Sequence, residues 1–253
     1  MAAPVNLIGS VVCKNERGRY LQEAVTSLLT YCDSVCAVDD ASTDGSAEWL
    51  EEQDRVYLLR SVESTFFQHE GRFRQRALDH VLRYEPTHIA TVDLDEFVSA
   101  GGELRARLES EPDVPVWSLE MQEVWRADEH LFSREDGGWR SHPVPFLWKA
   151  PRAGERWTMR DRKLACGRVP TQVMGQGARA KPTGVSLLHF GWANPAERQA
   201  RYDRYTKHDG GRFHASAHLK SIMWPATRIR LQQRAWPKGE TFDRLRERFM
   251  VTA

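Results

Sequence analysis

Short apolar runs alternate with stretches of helical spacing through the first hundred residues, and this alternation restricts the possible folds more than any other feature of the sequence. Four runs have the length and the β-branched residues of buried strands: 7–13, 34–38, 56–59 and 88–92. Three stretches between them place apolar residues at helical spacing: 20–29, 46–53 and 73–82. Strands separated by such helices are joined by right-handed crossovers, so the sequence predicts an α/β fold with a mainly parallel central sheet.

Beyond residue 100 the pattern changes to longer strands followed by a helical region. Further strands are predicted at 114–125, 144–149 and 185–190. Gly137-Gly138 indicates a loop between the first two of them. Asn194 and Pro195 have the residue types that cap and begin a helix. The segment 151–182 is rich in Arg, Gly and Lys and carries no assignable pattern.

Composition excludes several classes of protein. The chain has 253 residues, of which 41% are hydrophobic, and its nine Trp and ten Phe supply apolar surface that disordered chains lack. No stretch approaches the roughly 18 apolar residues that a membrane span needs, and no secretory signal peptide is visible, so we expect a soluble, cytoplasmic protein. Its four cysteines are too scattered for a disulfide framework and are expected to be buried thiols.

Charge is divided unevenly along the chain, although the formal net charge is only +1. Residues 1–100 hold 17 acidic and nine basic side chains, whereas residues 213–253 hold three acidic and eight basic ones. Residues 101–253 together hold 18 acidic and 27 basic side chains, and this basic part is either a solvated surface or the binding surface for an anionic partner. We predict one domain over 1–212, with a seam near residue 100, and a basic helical extension over 213–253. If the acceptor is a nucleic acid such as DNA, this extension would bind its backbone.

Two carboxylates directly follow the fourth predicted strand. Asp93 and Asp95 are two residues apart, so in an extended segment they point to the same side and can bind one hard cation. Mg²⁺ and Mn²⁺ prefer oxygen ligands and are commonly shared between carboxylates and substrate phosphates. Surface loops also contain Asp-x-Asp often, but the position after a buried strand favours the metal interpretation.

A second acidic cluster follows the second predicted strand. Asp39 and Asp40 can accept hydrogen bonds from a nucleobase or a ribose, while an ordinary helix-capping loop is the alternative because Asp44 precedes a helix. The carboxyl ends of parallel strands lie on one edge of a sheet, where ligands bind. We therefore expect this cluster to converge with Asp93 and Asp95 on one crevice.

Three motifs together carry a resemblance to a known family. The segments 11–16, 38–45 and 93–97 resemble, in order and spacing, the signature series of family 2 glycosyltransferases. Residues 71–78 are similar to that family's Ala-Arg-Asn-x-(Ala/Gly) helix, with Arg74 in the Arg place. Residues 188–205 resemble the C-terminal block of a bacterial and phage branch. The resemblance implies a Rossmann-like, A-type nucleotide-sugar-binding domain, with a nucleotide-binding half over 1–100 and an acceptor-side half over 101–212.

The resemblance also implies roles for single residues, which fall into two groups. The nucleotide-sugar donor would be bound by the following residues: Asn15, Glu16, Asp39, Asp40, Arg74 and Asp93. Asn15 and Glu16 could instead cap the following helix. Mn²⁺ or Mg²⁺ would be held on the donor's diphosphate by Asp93, Asp95 and His189. For His189 the alternative is a strand-end histidine that bonds to backbone.

Inverting transfer needs a general base near the acceptor hydroxyl. Glu120 and Glu123 lie on the predicted strand 114–125, and Asp128 and Asp161 follow it. By strand alternation Ser118, Glu120 and Gln122 share a polar face that could line a cleft, and we choose Glu120 as the candidate base. Many members of the family carry an acidic dyad or a His–Glu pair where this chain has 167–170. The resemblance therefore leaves the base and the stereochemical course open.

An aromatic, basic and histidine-rich run follows the last predicted strand. Its members either stack sugars and grip phosphates or pack into the core: Trp192, Tyr202, Tyr205, His208, Arg212, Phe213, His214 and His218.

The functional prediction is a metal-dependent, inverting glycosyltransferase that moves a sugar from a nucleotide sugar to a hydroxyl of a glycan, a small molecule, a protein or a base in DNA. Two alternatives belong to other classes. A nucleotidyltransferase also uses paired aspartates, but its Gly-rich, Lys-containing loop is absent from 9–14. A non-catalytic module that binds nucleotide sugars or nucleic acid is the other.

Overall fold

The computed structural model describes residues 4–175, 180–208 and 216–251. The chain divides into two compact units. The first comprises Met1–Leu94, Ala100–Leu119 and Pro143–Val185, and the second comprises Asp95–Ser99, Glu120–His142 and Ser186–Ala253.

Strands and helices alternate through the first part of the chain and become irregular later. The strands are β1 Leu7–Cys13, β2 Ser34–Asp39, β3 Val56–Arg60, β4 His88–Thr91, β5 Glu96–Val98, β6 Val116–Ala127, β7 Leu131–Arg134, β8 His142–Lys149, β9 Lys181–His189 and β10 Leu231–Arg234. The helices are α1 Leu21–Leu29, α2 Ser46–Glu51, α3 Glu70–Leu82, α4 Gly101–Ser110, α5 Thr171–Gly175, α6 Pro195–His208, α7 Ser216–Ser221 and α8 Glu240–Val251. Short 3₁₀ turns lie at Gly137–Trp139 and Ala226–Arg228.

A parallel sheet forms the centre of the first unit and confirms the predicted α/β fold. β1 pairs in parallel with β2 on one side and with β4 on the other, and β3 extends the sheet beyond β2. β8 adds an antiparallel strand next to β4. Strands buried on both faces consist almost wholly of apolar residues, which is why β1 could be read directly from the sequence.

Helices cover both faces of this sheet. Ile8 belongs to a buried cluster with Leu78 and Val81 of α3. At the next residue of β1, a side chain added to Gly9 would meet Leu28 of α1. Successive residues of a strand point to opposite faces, so α1 and α3 lie on opposite sides of the sheet.

The second unit is built from antiparallel pairs and a cluster of tryptophans. β5 pairs with the end of β9, and β7 pairs with both β6 and β10. Trp125, Trp139 and Trp192 pack together with Leu219 and Ile222 in its core.

Several elements of the structure are not in the sequence prediction. These are β5, α4, β7, α5 and β10. Because β7 lies between the two long strands, Gly137-Gly138 does not simply connect them. The predicted extension over 213–253 contains helices α7 and α8, with strand β10 between them, and its residues 213–215, 252 and 253 lie outside the described part.

Two further predictions concern single features. Asn194 accepts a hydrogen bond from the backbone N–H of Ala196 at 2.8 Å, which confirms the predicted cap of α6. All four cysteines are buried and unbonded to one another, as expected. None of the helices in the described ranges is long and apolar enough to cross a bilayer.

Candidate functional site

Asp39 is the last residue of β2, and one of its carboxylate oxygens lacks a partner. The residue is 2% exposed. Its Oδ2 accepts the backbone N–H of Ser42 at 2.9 Å, while its buried Oδ1 accepts no hydrogen bond from the described residues. An unsatisfied buried oxygen is costly, and in native proteins it commonly marks a place where a ligand or water supplies the donor.

Both carboxylate oxygens of Asp40, in contrast, accept hydrogen bonds from the loop before α3. Its Oδ2 accepts from Ser64 Oγ at 2.6 Å, and its Oδ1 accepts from the backbone N–H of Thr65 at 2.7 Å and, more weakly, from that of Phe66 at 3.3 Å. The carboxylate of Asp40 therefore holds the loop before α3 in place. Its role in binding a nucleotide stays a prediction.

Asn15 joins the loop after β1 to the loop after β2. It has a positive φ of 54°, and its Oδ1 accepts the backbone N–H of Thr43 at 2.8 Å. Its own N–H donates to Ser42 Oγ at 2.9 Å. Lys14 strengthens the connection because its Nζ donates to the backbone carbonyl of Asp40 at 2.6 Å. Asn15 thus fixes the two loops at the carboxyl edge of the sheet.

Glu16 takes part in the same connection through its backbone. Its N–H donates to Ser46 Oγ at 2.8 Å, and its Oε1 accepts from Arg19 at 2.7 Å. The cap residue of α1 is Tyr20, which makes no side-chain capping bond. Lining of a nucleotide pocket by Asn15 and Glu16 stays a prediction.

Arg74 lies beneath Asp93 on α3. Its Nε donates to Glu70 at 2.8 Å, and its two terminal nitrogens lie 3.4 and 3.3 Å from Asp93 Oδ1. The guanidinium also lies 5.4 Å from the centre of the Phe66 ring. Burial lowers the pKa of Arg74, but the charges of Asp93 and Glu70 outweigh this and raise it overall. Arg74 is therefore a permanent cation beside the predicted metal ligand.

Arg168 approaches the same carboxylate from the segment that the sequence left unassigned. Its NH2 lies 3.9 Å from Asp93 Oδ2, so the two arginines address different oxygens of Asp93. These separations exceed the roughly 2.8 Å of a tight charge-assisted hydrogen bond. The Asp93 side chain is 33% exposed. No local pattern in the sequence pointed to Arg168.

In the second unit Asp95 and His189 belong to a close ionic network. His189 Nδ1 lies 2.6 Å from Glu123 Oε2, and its Nε2 lies 3.5 Å from Asp95 Oδ1. Arg201 of α6 forms an ion pair with Asp95 Oδ2. A side chain at Gly191 would meet the side chains of both Arg201 and Asp95 and would displace them from their ion pair.

The pKa shifts in this network favour the charged forms of His189 and Glu123. Burial alone would lower the pKa of His189. The charge of Glu123 and, after it, that of Asp95 raise this pKa by more, so it lies well above its ordinary value. Burial raises the pKa of Glu123, and the charge of His189 more than reverses this. The side chain of His189 thus contacts carboxylates, and Glu123, which the sequence offered only as a second acidic residue beside the candidate base Glu120, is its nearest partner.

Glu120 is exposed on β6, whereas Ser118 and Gln122 are buried. Gln122 donates to Ser186 Oγ at 2.9 Å. The polar face predicted from alternation is therefore largely covered by protein, apart from Glu120 itself. Its role as a general base stays a prediction.

The described residues contain no group of three or more His, Cys, Asp or Glu side chains placed to hold a metal ion. The donor types of Asp93, Asp95 and His189 nevertheless suit Mn²⁺ or Mg²⁺. Glu123 at His189 Nδ1 also matches the partner that a metal-binding histidine usually has. Asp93 in the first unit, and Asp95 with His189 in the second, each offer a donor of this kind, and substrate phosphates and water are the usual further ligands of such ions.

The aromatic and basic run packs mainly into the core of the second unit. Trp192, Tyr202 and Tyr205 belong to the tryptophan cluster, and His218 stacks on Trp139 with ring centres 4.4 Å apart. Three further members of the predicted run lie outside the described residues: Arg212, Phe213 and His214.

No protein-family model matches the sequence. Two uncharacterised proteins, from Mycobacterium bovis and Mycobacterium tuberculosis, are each 26% identical to this chain over 204 residues. The alignments cover 76% of this chain and 48% of each relative, so the chain spans about half the length of the curated relatives it matches.

Among solved structures, the chain is similar to a mannosyltransferase from Pyrobaculum calidifontis in complex with GDP-Man and Mn²⁺. The TM-score is 0.34 at 22% identity, over 48% of this chain and 36% of that one. It is also similar to a mannose-1-phosphate geranyltransferase from Thermus thermophilus, with a TM-score of 0.35 at 11% identity over 87% and 64% of the two chains. Structural similarities with TM-scores of 0.34 and 0.35 carry no functional argument.

Proposed function

We propose that this chain is a metal-dependent glycosyltransferase that moves a sugar from a nucleotide-sugar donor to an acceptor hydroxyl. One observation carries the proposal: Asp93 follows the parallel strand β4, has a side chain that is 33% exposed, and lies 3.3 Å from Arg74 and 3.9 Å from Arg168. Asp39, at the carboxyl end of β2 in the same sheet, has an unsatisfied oxygen. Anions and metals bind at this edge of parallel sheets.

Donor recognition divides between base and diphosphate. Asp39 Oδ1 is the acceptor that suits a ribose hydroxyl or a base N–H, and Asp40 fixes the neighbouring loop. Asn15 and Glu16 line the same pocket. Arg74 supplies positive charge to the diphosphate through its buried guanidinium.

Metal binding is assigned to Asp93, Asp95 and His189. A divalent ion at these residues supplies neutralisation of the charge that develops on the departing diphosphate. Glu123 acts as a positioning residue, because an acceptor at Nδ1 fixes the tautomer that presents the Nε2 lone pair. Arg201 holds the other oxygen of Asp95 and so fixes the orientation of that carboxylate.

Proton removal from the acceptor hydroxyl is assigned to Glu120, with inversion at the sugar carbon. A carboxylate that remains exposed on β6 is accessible to an acceptor, whereas Glu123 on the same strand is held by His189. The acceptor is a glycan, a small molecule, a protein or a base in DNA, and the basic C-terminal region provides charge for an anionic one.

A donor screen tests the function. The protein is incubated with a panel of nucleotide sugars and Mn²⁺, and release of nucleoside diphosphate is measured, since slow hydrolysis needs no acceptor. Release from one donor class supports the transferase. Pyrophosphate release from a nucleoside triphosphate would instead support a nucleotidyltransferase, and binding without turnover would support a non-catalytic module.

A further inference from the structure

Two arginines share one carboxylate at the edge of the parallel sheet, and the proposed function uses only Arg74. We propose that Arg168 binds the diphosphate of the donor, so that it forms with Arg74 a two-sided arginine clamp over the metal ligand Asp93. The inference rests on the proposed function and names a donor-binding residue within it.

Charge balance is the first argument. Arg74 and Arg168 face Asp93, and Arg74 also pairs with Glu70. Once a divalent cation takes the carboxylate of Asp93, the cluster carries excess positive charge. A diphosphate restores the balance, and guanidinium groups match its oxygens with bidentate hydrogen bonds.

Geometry is the second argument. Arg168 lies 3.9 Å from Asp93 Oδ2, too far for a direct hydrogen bond but within ion-pair range. A small cavity of about 20 Å³ borders both arginine side chains, and its lining is mainly apolar, including Leu78, Trp148 and Met159. It is too small and too apolar for a diphosphate, so the ligand would approach from the solvent side, where the side chains of Asp93 and Arg168 are 33% and 20% exposed.

Rigidity of the supporting segment is the third argument. The first turn of α3 binds this segment, because Glu70 N–H donates to the carbonyl of Lys163 at 2.8 Å and Gly71 N–H donates to that of Arg162 at 2.9 Å. A side chain at Gly71 would collide with this backbone. On either side of Arg168, Cys166 and Val169 are buried. Arg168 is thus carried by a fixed backbone, although it stands in an irregular region.

The remaining cations of the segment differ from Arg168. They are exposed: Arg152, Arg156, Arg160, Arg162 and Lys163. Arg168 is only 20% exposed at its side chain and is the one cation of 151–170 that lies within ion-pair distance of Asp93 among the described residues. Arg156 therefore provides a matched control with the same chemistry on the same segment.

Calorimetric binding with uridine, guanosine, adenosine and cytidine diphosphates, in the presence of Mn²⁺, tests the inference. The corresponding monophosphates serve as comparison ligands. For the diphosphate that binds, we expect Arg168→Ala to weaken affinity about 10- to 100-fold, since hydrogen bonds to charged groups contribute about 1.5–3 kcal/mol. Arg168→Lys should recover part of this loss, and Arg156→Ala should bind as the unaltered protein does.

The outcomes separate the two proposals. If the unaltered protein binds no nucleoside diphosphate, the proposed function is overturned and the inference with it. If it binds one and both Arg168→Ala and Arg168→Gln bind equally well, only the inference is overturned. Equal losses for mono- and diphosphate would also overturn it, because Arg168 would then act on the nucleoside or the fold. Circular dichroism of each variant verifies folding, and Arg168→Gln replaces Arg168→Ala if the latter unfolds.

Discussion

Asp93 in the first compact unit and His189 in the second lie at different distances from their charged neighbours. In the first, Asp93 stands 3.3 to 3.9 Å from its two arginines. In the second, His189 lies 2.6 Å from Glu123, and the wholly buried Arg134 lies 2.8 Å from Asp136. Loose spacing leaves room for a ligand to enter, whereas close buried pairs stabilise the fold. The comparison teaches that the spacing of a charged pair can separate two roles: under our proposal Asp93 binds a ligand, whereas the close pair of Arg134 and Asp136 stabilises its unit.

The largest expected effect is that of removing the carboxylate charge of Asp93. Asp93→Asn should reduce metal-dependent donor turnover to background, because the amide is a poor ligand for a hard cation. Its melting temperature should stay close to that of the unaltered protein, since the amide oxygen can still accept from Arg74 at the 3.3–3.4 Å separations that Asp93 Oδ1 shows. Nucleoside diphosphate release and thermal melts check both statements, with the exposed Asp54→Asn as control. A large loss of stability would show that Asp93 also stabilises the fold, as the close pair of Arg134 and Asp136 is expected to do.

The next effect tests a closely held pair. Asp136→Asn should cost about 3 kcal/mol of unfolding free energy, because it leaves the charge of buried Arg134 without its carboxylate. Urea unfolding measures this cost. Loss of less than about 1 kcal/mol would mean that the pair behaves like a surface ion pair.

The same pair predicts a pH dependence. The hydrogen bond from Arg134 is the main cause that lowers the pKa of Asp136 below its ordinary value of 3.8. A lowered folded-state pKa contributes stability that is present above 3.8 and is lost as pH falls through the folded value. Unfolding free energies measured from pH 6 down to pH 2 should therefore fall more steeply in the unaltered protein than in Asp136→Asn. Parallel curves would refute this assignment.

Glu123→Gln tests positioning within the second unit. We expect Mn²⁺ affinity, measured by calorimetry, to fall about 10- to 100-fold, as for other partners of metal-binding histidines. Glu120→Gln is the matched control on the same strand: it should leave Mn²⁺ affinity unchanged while it lowers sugar transfer. Unchanged affinity in Glu123→Gln would limit the pair with His189 to a structural role.

The smallest effect concerns Asp39. Replacement by Asn retains the bond from Ser42 but removes the charge of the unsatisfied oxygen, so nucleoside diphosphate affinity should fall about fivefold, a typical hydrogen-bond contribution. Asp44→Asn, in the adjacent capping loop, is the control. If nucleoside diphosphate affinity falls in Asp44→Asn and not in Asp39→Asn, the capping loop rather than Asp39 recognises the base.

Much of the parallel sheet could be predicted from the sequence. β1 has the predicted bounds, since a strand buried on both faces is a continuous apolar run. Short or atypical elements escaped prediction for physical reasons. β5 has three residues and begins with Glu96, and α4 begins with two glycines, which usually indicate a turn.

The candidate site was predictable only where its residues follow strands. Asp39 and Asp93 could be found because each ends an apolar run of the sheet. The pairing of Glu123 could not be predicted because its partner is His189, far along the chain, and alternation favoured Glu120 over Glu123 as the base. Arg168 was missed because tertiary packing against α3, rather than local pattern, brings it to Asp93.

Calorimetric titration of Mn²⁺, with and without the nucleoside diphosphate that binds, tests the central claim most directly. If Asp93 holds an ion that is shared with the diphosphate, each ligand must strengthen the binding of the other. We predict tighter Mn²⁺ binding in the presence of the diphosphate and loss of this coupling in Asp93→Asn. Mn²⁺ binding that is indifferent to the diphosphate, or coupling that survives in Asp93→Asn, would contradict the account.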